Sequence, residues 1–96
     1  MARYQEEAIM AGQEKEAYVA LIAERDPKIR ALLDQGFEFF MNAFKVGAAP
    51  PGLKTKTDRE QVRSLRREGY QVEVTTAYDE QGQPRPTLSA IWRKRG

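Results

Sequence analysis

"TDREQVRSLRREGYQVEV", residues 57–74, places a short charged segment directly before an alternating one. Thr57 and Glu60 have the spacing of a capping box, in which each side chain binds a backbone N–H at the other position. Gly69 is the residue type that most often ends a helix. Beyond it apolar and polar residues alternate, as they do in a strand with one buried face. The stretch therefore predicts a short helix that leads into a β-strand.

A second alternating segment follows at residues 87–95, with Leu88, Ala90 and Trp92 on one face. The Asp, Gly and Pro residues at 79–86 between the two strands are typical of a turn. We therefore expect an antiparallel β-hairpin. Because a lone hairpin is marginally stable in water, its apolar face must pack on helices, and Trp92 is predicted to lie in the core.

The N-terminal part of the chain predicts helices. Residues 3–24 are rich in good helix formers, and Asp26-Pro27 is a strong signal for a second helix start. From there apolar residues recur at three- and four-residue steps, namely Ile29, Leu33, Phe37, Phe40 and Phe44. This spacing predicts a helix from Pro27 to about Val46. With the first helix it would form an antiparallel helical hairpin.

These segments together predict the α+β class, with an antiparallel helical hairpin, a third short helix and a C-terminal antiparallel β-hairpin. We expect residues 1–96 to form a single small domain. Within it, 1–46 would be the helical hairpin, 47–56 a Pro/Gly linker, and 57–96 the helix plus β-hairpin.

The composition argues against an enzyme. The chain has no Cys and no His, so it has no disulfide, no thiolate nucleophile, no imidazole base and no zinc site of the usual kind. It has no ligand-spaced run of carboxylates, and Glu6, Glu7, Glu14 and Glu16 are predicted to be a solvated helix face. We expect no catalytic residue, no metal, no cofactor and no small-molecule substrate.

The location of the protein is predicted from two further features. No window approaches the roughly 18 consecutive apolar residues that a spanning helix needs. The first residues lack the basic start and long apolar run of a signal peptide. We therefore expect a cytoplasmic protein with no membrane partner.

Charge is divided unevenly along the chain. Residues 1–45 hold six basic and eight acidic residues, which gives −2, whereas residues 46–96 hold ten basic and six acidic, which gives +4. At about 100° per residue, Arg59, Arg63 and Arg66 fall on one side of the third helix. This stripe could contact phosphates, an acidic protein surface or only solvent.

The leading hypothesis is a small non-enzymatic binding protein that occupies a surface of a macromolecular partner. It would be an accessory or inhibitory protein, such as those of phages and other mobile elements. Leu32 and Phe39, off the main apolar line of the second helix, are predicted to form an exposed patch for a protein partner or self-association. Arg59, Arg63 and Arg66 are the other predicted partner-binding residues.

The alternative hypothesis is a nucleic-acid-binding module. The order helix, Gly, strand, turn, strand resembles the recognition helix and wing of a winged helix-turn-helix. That resemblance implies that the third helix and the hairpin turn contact nucleic acid. The basic residues in those places and in the C-terminal tail are Arg59, Arg63, Arg66, Arg67, Arg85, Arg93, Lys94 and Arg95.

Overall fold

The computed structural model describes the backbone of residues 2–96 and the side chains of residues 14–96. It confirms the α+β class. The elements in chain order are α1 (Ala2–Arg25), α2 (Pro27–Asp34), β1 (Glu38–Phe44), α3 (Asp58–Arg67), β2 (Tyr70–Tyr78) and β3 (Pro84–Arg95).

The strands form one three-stranded antiparallel sheet in the order β1-β3-β2. The predicted β2–β3 hairpin is therefore present, but it is not the whole sheet. Strand β1 pairs with the other side of β3, with Phe44 opposite Leu88 and Phe39 opposite Trp92. The prediction of a two-stranded hairpin packed on three helices was wrong in this respect.

The predicted long second helix is the main error. Helix α2 ends at Asp34, after eight residues. Gly36 has φ of 92°, and its N–H donates to the carbonyl of Leu33 while the N–H of Phe37 donates to the carbonyl of Leu32. This pair of hydrogen bonds is the Schellman arrangement that ends a helix. The predicted helical hairpin over 1–46 is therefore replaced by two helices and a strand.

The apolar spacing of residues 37–44 has a different cause from the one predicted. Strand β1 contributes to two cores, with Phe39 and Phe44 on one face of the sheet and Ala43 on the other. A β-bulge between Phe39 and Met41 interrupts the simple alternation of sides. A strand that is apolar on both faces and bulged can present apolar residues at three- and four-residue steps, as a helix does.

Each face of the sheet has its own core. Helices α1 and α2 cover one face, where the buried residues are Ile22, Ala23, Ile29, Leu32, Phe37, Ala77, Leu88, Ala90 and Trp92. Helix α3 covers the other face, where the buried residues are Ala43, Leu65, Val72 and Ile91. The central strand is consequently buried on both sides from Leu88 to Trp92, and Trp92 is fully buried, as predicted.

Polar contacts hold the helical layer to the sheet. Asp26 caps α2 by accepting from the N–H of Lys28, and its second oxygen accepts from the Tyr78 hydroxyl at 2.8 Å. The indole N–H of Trp92 donates to the Thr75 hydroxyl at 2.8 Å. These contacts satisfy polar groups that burial would otherwise leave without a partner.

Candidate binding groove along helix α3

Helix α3 begins and ends where the sequence predicts. The Thr57 side chain accepts from the Glu60 N–H at 3.3 Å, and the Glu60 carboxylate accepts from the Thr57 N–H at 3.4 Å, so the capping box is confirmed. Gly69 follows the helix with φ of 95°. The α3 segment is thus a well-defined helix and not a loop that carries basic residues.

Two contacts fix α3 on the sheet. Leu65, only 3% exposed, packs in the core with Val72 and Ile91. At the N-terminal end, Asp58 Oδ2 accepts from the Ser89 hydroxyl of the central strand at 2.8 Å. A helix held in both its first and its last turn presents its outer side chains from a fixed base.

The arginines lie on one flank of α3. Because Val62 and Leu65 face the sheet, the 100° step of a helix places Arg59, Arg63 and Arg66 beside them on the same flank. All three side chains are exposed, as is Arg67 in the last turn. The predicted outward stripe is therefore present, and Arg67 extends it.

This flank borders an open groove of about 830 Å³, which we call the basic groove. Its lining comes from α3, from β2 and from the two residues that follow β1. The lining residues are Lys45, Val46, Asp58, Arg59, Val62, Arg63, Arg66, Arg67 and Val74. The groove joins parts of the chain that are nearly thirty residues apart in sequence.

The groove carries a clear excess of positive charge. Five of its lining residues are basic and one, Asp58, is acidic, so its formal charge is 5 − 1 = +4. The Asp58 carboxylate is already occupied by the Ser89 hydroxyl and the Arg59 N–H. Among residues 14–96 the ion pairs are Arg30–Asp34 and Arg93–Glu38, both outside the groove. Its cations are therefore available to an anionic partner.

Three valines give the groove an apolar part. Val62 and Val74 are half-buried, whereas Val46 is 58% exposed. Within the described side chains, Val46 and Leu53 are the exposed large hydrophobic residues, and both lie in the segment that joins β1 to α3. The groove therefore offers apolar contact area beside its arginines.

The predicted apolar patch is not available in the folded protein. Leu32 is 5% exposed and lies in the core between α2 and the sheet, so its predicted exposure was wrong. Phe39 is half-buried and packs edge-on against Tyr18 and Trp92, with centroid distances of 5.7 and 5.4 Å. The prediction assumed a helix with too few neighbours, but β1 is an edge strand whose Phe39 face is covered.

The basic residues at the C-terminal end of β3 lie outside the basic groove, on the two faces of the sheet. Arg93 lies over the rings of Phe40 and Tyr70, at 4.2 and 4.8 Å, and pairs with Glu38 at 3.0 Å. Arg95 lies over the same Tyr70 ring at 4.4 Å, and the Lys94 ammonium lies 5.8 Å from the Phe37 ring. These three cations are engaged in packing within the chain.

Arg85 lies at a different cleft, of about 900 Å³, between α1 and the β2–β3 turn. Tyr18 and Asn42 line it too, and Asn42 Nδ2 donates to the Tyr18 hydroxyl at 3.5 Å. The lining also carries Lys15 together with acidic residues, among them Asp79, so its charge is mixed. The structure thus does not bring Arg85 into the basic groove.

The organisation is not that of a winged helix. Helices α2 and α3 lie on opposite faces of the sheet, whereas a helix-turn-helix requires the two to pack together. The β2–β3 turn also packs close to α1, because a Cβ added at Gly82 would lie 2.5 Å from Arg25 Nε. The resemblance rested on element order alone, and β1 separates the helices.

Other kinds of site find no support among the described residues. Residues 14–96 contain no group of three or more acidic side chains placed to hold a metal ion. Glu14 and Glu16 are exposed, as predicted, whereas the side chains of Glu6 and Glu7 lie outside the described residues. Across residues 2–96 no helix is long and apolar enough to cross a membrane.

Sequence reasoning missed the residues that complete the groove. Lys45 and Val46 were assigned to the end of a helix, and Val74 to the face of a hairpin packed on helices. Their place in the groove depends on β1 being a strand whose end lies near α3. The available signal was Gly36, which is a common helix-ending residue.

Comparison of this chain with protein-family models, with curated proteins and with solved structures finds no significant match.

Proposed function

We propose that this chain is a small non-enzymatic binding protein that acts by occupying a surface of a macromolecular partner, as an accessory or inhibitory protein does. The observation that carries the proposal is the basic groove, where five cations and three valines surround an open depression beside a rigidly held helix. Because the helix is already fixed on the sheet, binding orders the exposed side chains but not the backbone that carries them.

The partner surface is acidic in this proposal. Arginine guanidinium groups bind carboxylates and phosphates with two parallel hydrogen bonds, so four of them along one flank favour an anionic ligand. The predicted apolar residues Leu32 and Phe39 are not part of the proposed contact surface, since Leu32 is buried and Phe39 is covered. The basic groove is therefore the proposed contact surface, in place of the predicted combination of an apolar patch on the second helix and an arginine stripe on the third.

Nucleic acid is the second candidate partner, and the alignment of Arg59, Arg63 and Arg66 favours it. Phosphate contacts need no aromatic or amide group, only cations at a suitable spacing. Arg67 would add a fourth contact in the groove. Arg85, Arg93, Lys94 and Arg95 remain part of this hypothesis only as contacts outside the groove.

The test is a titration of binding against salt, using the variant Arg63→Ala/Arg66→Ala. Anion binding at the groove predicts affinity for duplex DNA, single-stranded RNA or polyglutamate that falls steeply between about 50 and 200 mM salt. The affinity of the variant for the polyanion should be at least about tenfold lower, because two charge-assisted contacts disappear. The matched control Arg30→Ala/Lys54→Ala removes the same charge outside the groove, and its affinity should fall by less than about threefold.

The outcomes separate the candidates. Preference for nucleic acid over polyglutamate at equal charge would favour the second candidate. Equal losses in the groove variant and the control would show that only overall charge matters, and the groove would then not be the contact surface. No affinity for any polyanion at low salt would overturn both.

A further inference from the structure

We infer that the occupant of the basic groove is an acidic protein segment that inserts an aliphatic side chain between its carboxylates. This inference rests on the proposed function and names the chemistry of the partner. It comes from the mixed lining of the groove, which contains four arginines of α3 together with valines from α3, from β2 and from the segment after β1.

The valines are the part of the groove that phosphates do not use. Val46 keeps 58% of its surface exposed and shares the groove lining with the half-buried Val62 and Val74. An aliphatic side chain placed on them would remove this apolar surface from water. A nucleic-acid backbone presents sugars and phosphates and would leave that gain unused.

The arginine side of the groove suits closely spaced carboxylates. Arg59 and Arg66 are seven positions apart, so their Cα atoms are separated by about 10 Å along the helix axis. An extended peptide covers that distance in about three residues. A segment with acidic residues near both ends of such a stretch and an aliphatic residue within it would therefore reach the arginines at both ends and present its aliphatic side chain to another part of the lining.

Apart from its arginines, the lining lacks the groups by which proteins contact bases. Single-stranded nucleic acid is bound mainly by aromatic side chains on which bases stack, and base edges are read by Asn, Gln or Arg forks. None of the groove's lining residues is aromatic, and none is Asn or Gln. The charge complementarity of the groove, combined with its apolar part, thus favours a peptide.

The first experiment selects peptides without assuming a sequence. A displayed library holds random peptides of about twelve residues, which are about 40 Å long when extended. Peptides that bind the full chain are selected, and those that also bind Arg63→Ala/Arg66→Ala are removed. The inference predicts enrichment of Asp and Glu together with Leu, Ile or Val at a fixed spacing. Enrichment of acidic residues without an aliphatic position would overturn it.

The second experiment measures the apolar contact directly. Val46→Thr and Val74→Thr keep the shape of the side chain but replace a methyl group by a hydroxyl. Each substitution should lower the affinity for a selected peptide by about fivefold to tenfold, as expected for an impaired apolar contact. Leu53→Ser, which changes an exposed apolar residue outside the groove lining, is the control and should leave affinity unchanged.

Duplex DNA serves as the comparison ligand in the same assay, and thermal unfolding confirms that each variant is folded. Peptide affinity that responds to Val46 while any DNA affinity does not would support the inference. Peptide affinity unaffected by either valine would overturn it and leave the proposed function standing. If neither peptides nor DNA bind, the proposed function fails as well.

Discussion

Asp58, the first residue of α3, accepts a 2.8 Å hydrogen bond from Ser89 of the central strand. Ser89 is 4% exposed, so this contact lies at the partly buried base of the helix. The same carboxylate accepts from the Arg59 N–H and lies at the positive end of the helix dipole. One acidic residue therefore fixes the position of the helix that carries the basic groove.

Ser89→Ala should consequently lower the free energy of unfolding by about 1 to 2 kcal/mol, since it leaves a partly buried carboxylate oxygen without its donor. Urea denaturation measures the change. Ser64→Ala is the matched control, because Ser64 only accepts an exposed contact from Lys56, and its effect should stay within about 0.5 kcal/mol. Equal effects of the two substitutions would show that Ser89 does not anchor α3.

The contact between Trp92 and Thr75 gives a second prediction. Both residues are buried, and the indole N–H donates to the Thr75 hydroxyl at 2.8 Å. Thr75→Val keeps the shape of the side chain but removes the acceptor, so it should lower the free energy of unfolding by about 1 to 3 kcal/mol. Thr76→Val, at the exposed neighbouring position of the same strand, should be nearly neutral. A neutral Thr75→Val in denaturation would contradict the assigned hydrogen bond.

The Asp26–Tyr78 contact joins the start of α2 to the end of β2. Asp26→Ala removes both the cap of the helix and this hydrogen bond, and should cost about 2 kcal/mol. Tyr78→Phe removes the hydrogen bond alone. A double-mutant cycle in urea should therefore give a coupling energy of about 1 kcal/mol. Additive effects would show that the two side chains do not interact in solution.

The same contact predicts a pH dependence. Burial, the hydrogen bond to Asp26 and repulsion by its charge all raise the pKa of Tyr78 above the ordinary 10.0. The stabilisation is fully present below the pKa of the unfolded chain, about 10. Above it the unfolded state loses the Tyr78 proton first, so stability falls as pH rises through the folded pKa. The free energy of unfolding of Tyr78→Phe should therefore decline less steeply above about pH 10. If stability fell equally with pH in the unsubstituted chain and in Tyr78→Phe, the raised pKa of Tyr78 would be contradicted.

Local signals in the sequence were sufficient for half of the fold. The capping box of Thr57 and Glu60 and the stop at Gly69 define α3 because they act within a few residues. The β2–β3 hairpin is equally local, since its strands are joined by a short turn. The outward arginine stripe follows directly from the phase of α3.

The rest depends on contacts that are distant in sequence. Strand β1 pairs with a segment far along the chain, with Phe39 opposite Trp92, 53 residues later. Because both faces of the sheet are covered, the strand lacks the clear alternation that would reveal it. The exposed patch at Leu32 and the missing groove residues Lys45 and Val46 are consequences of that one misassignment.

Gly36 decides whether α2 continues as a helix to about Val46, as the sequence predicts, or ends before β1. It gives the last prediction. Its φ of 92° lies where residues other than glycine are strained, and a Cβ there would lie 3.7 Å from Lys94, an ordinary contact. Gly36→Ala should therefore cost about 1 to 2 kcal/mol through backbone strain alone. Gln35→Ala, one residue earlier in right-handed conformation, should change stability by less than about 0.5 kcal/mol.

Circular dichroism distinguishes this outcome from a change of structure. If α2 ended at Gly36 only by glycine preference, alanine would extend the helix toward Phe39 and raise helical content. We expect no such increase, because residues 38–44 are held by pairing with β3 and by the two cores. Folding to a less stable but unchanged structure is the expected result. A gain of helix with no loss of stability would show that β1 is not the preferred state of this segment.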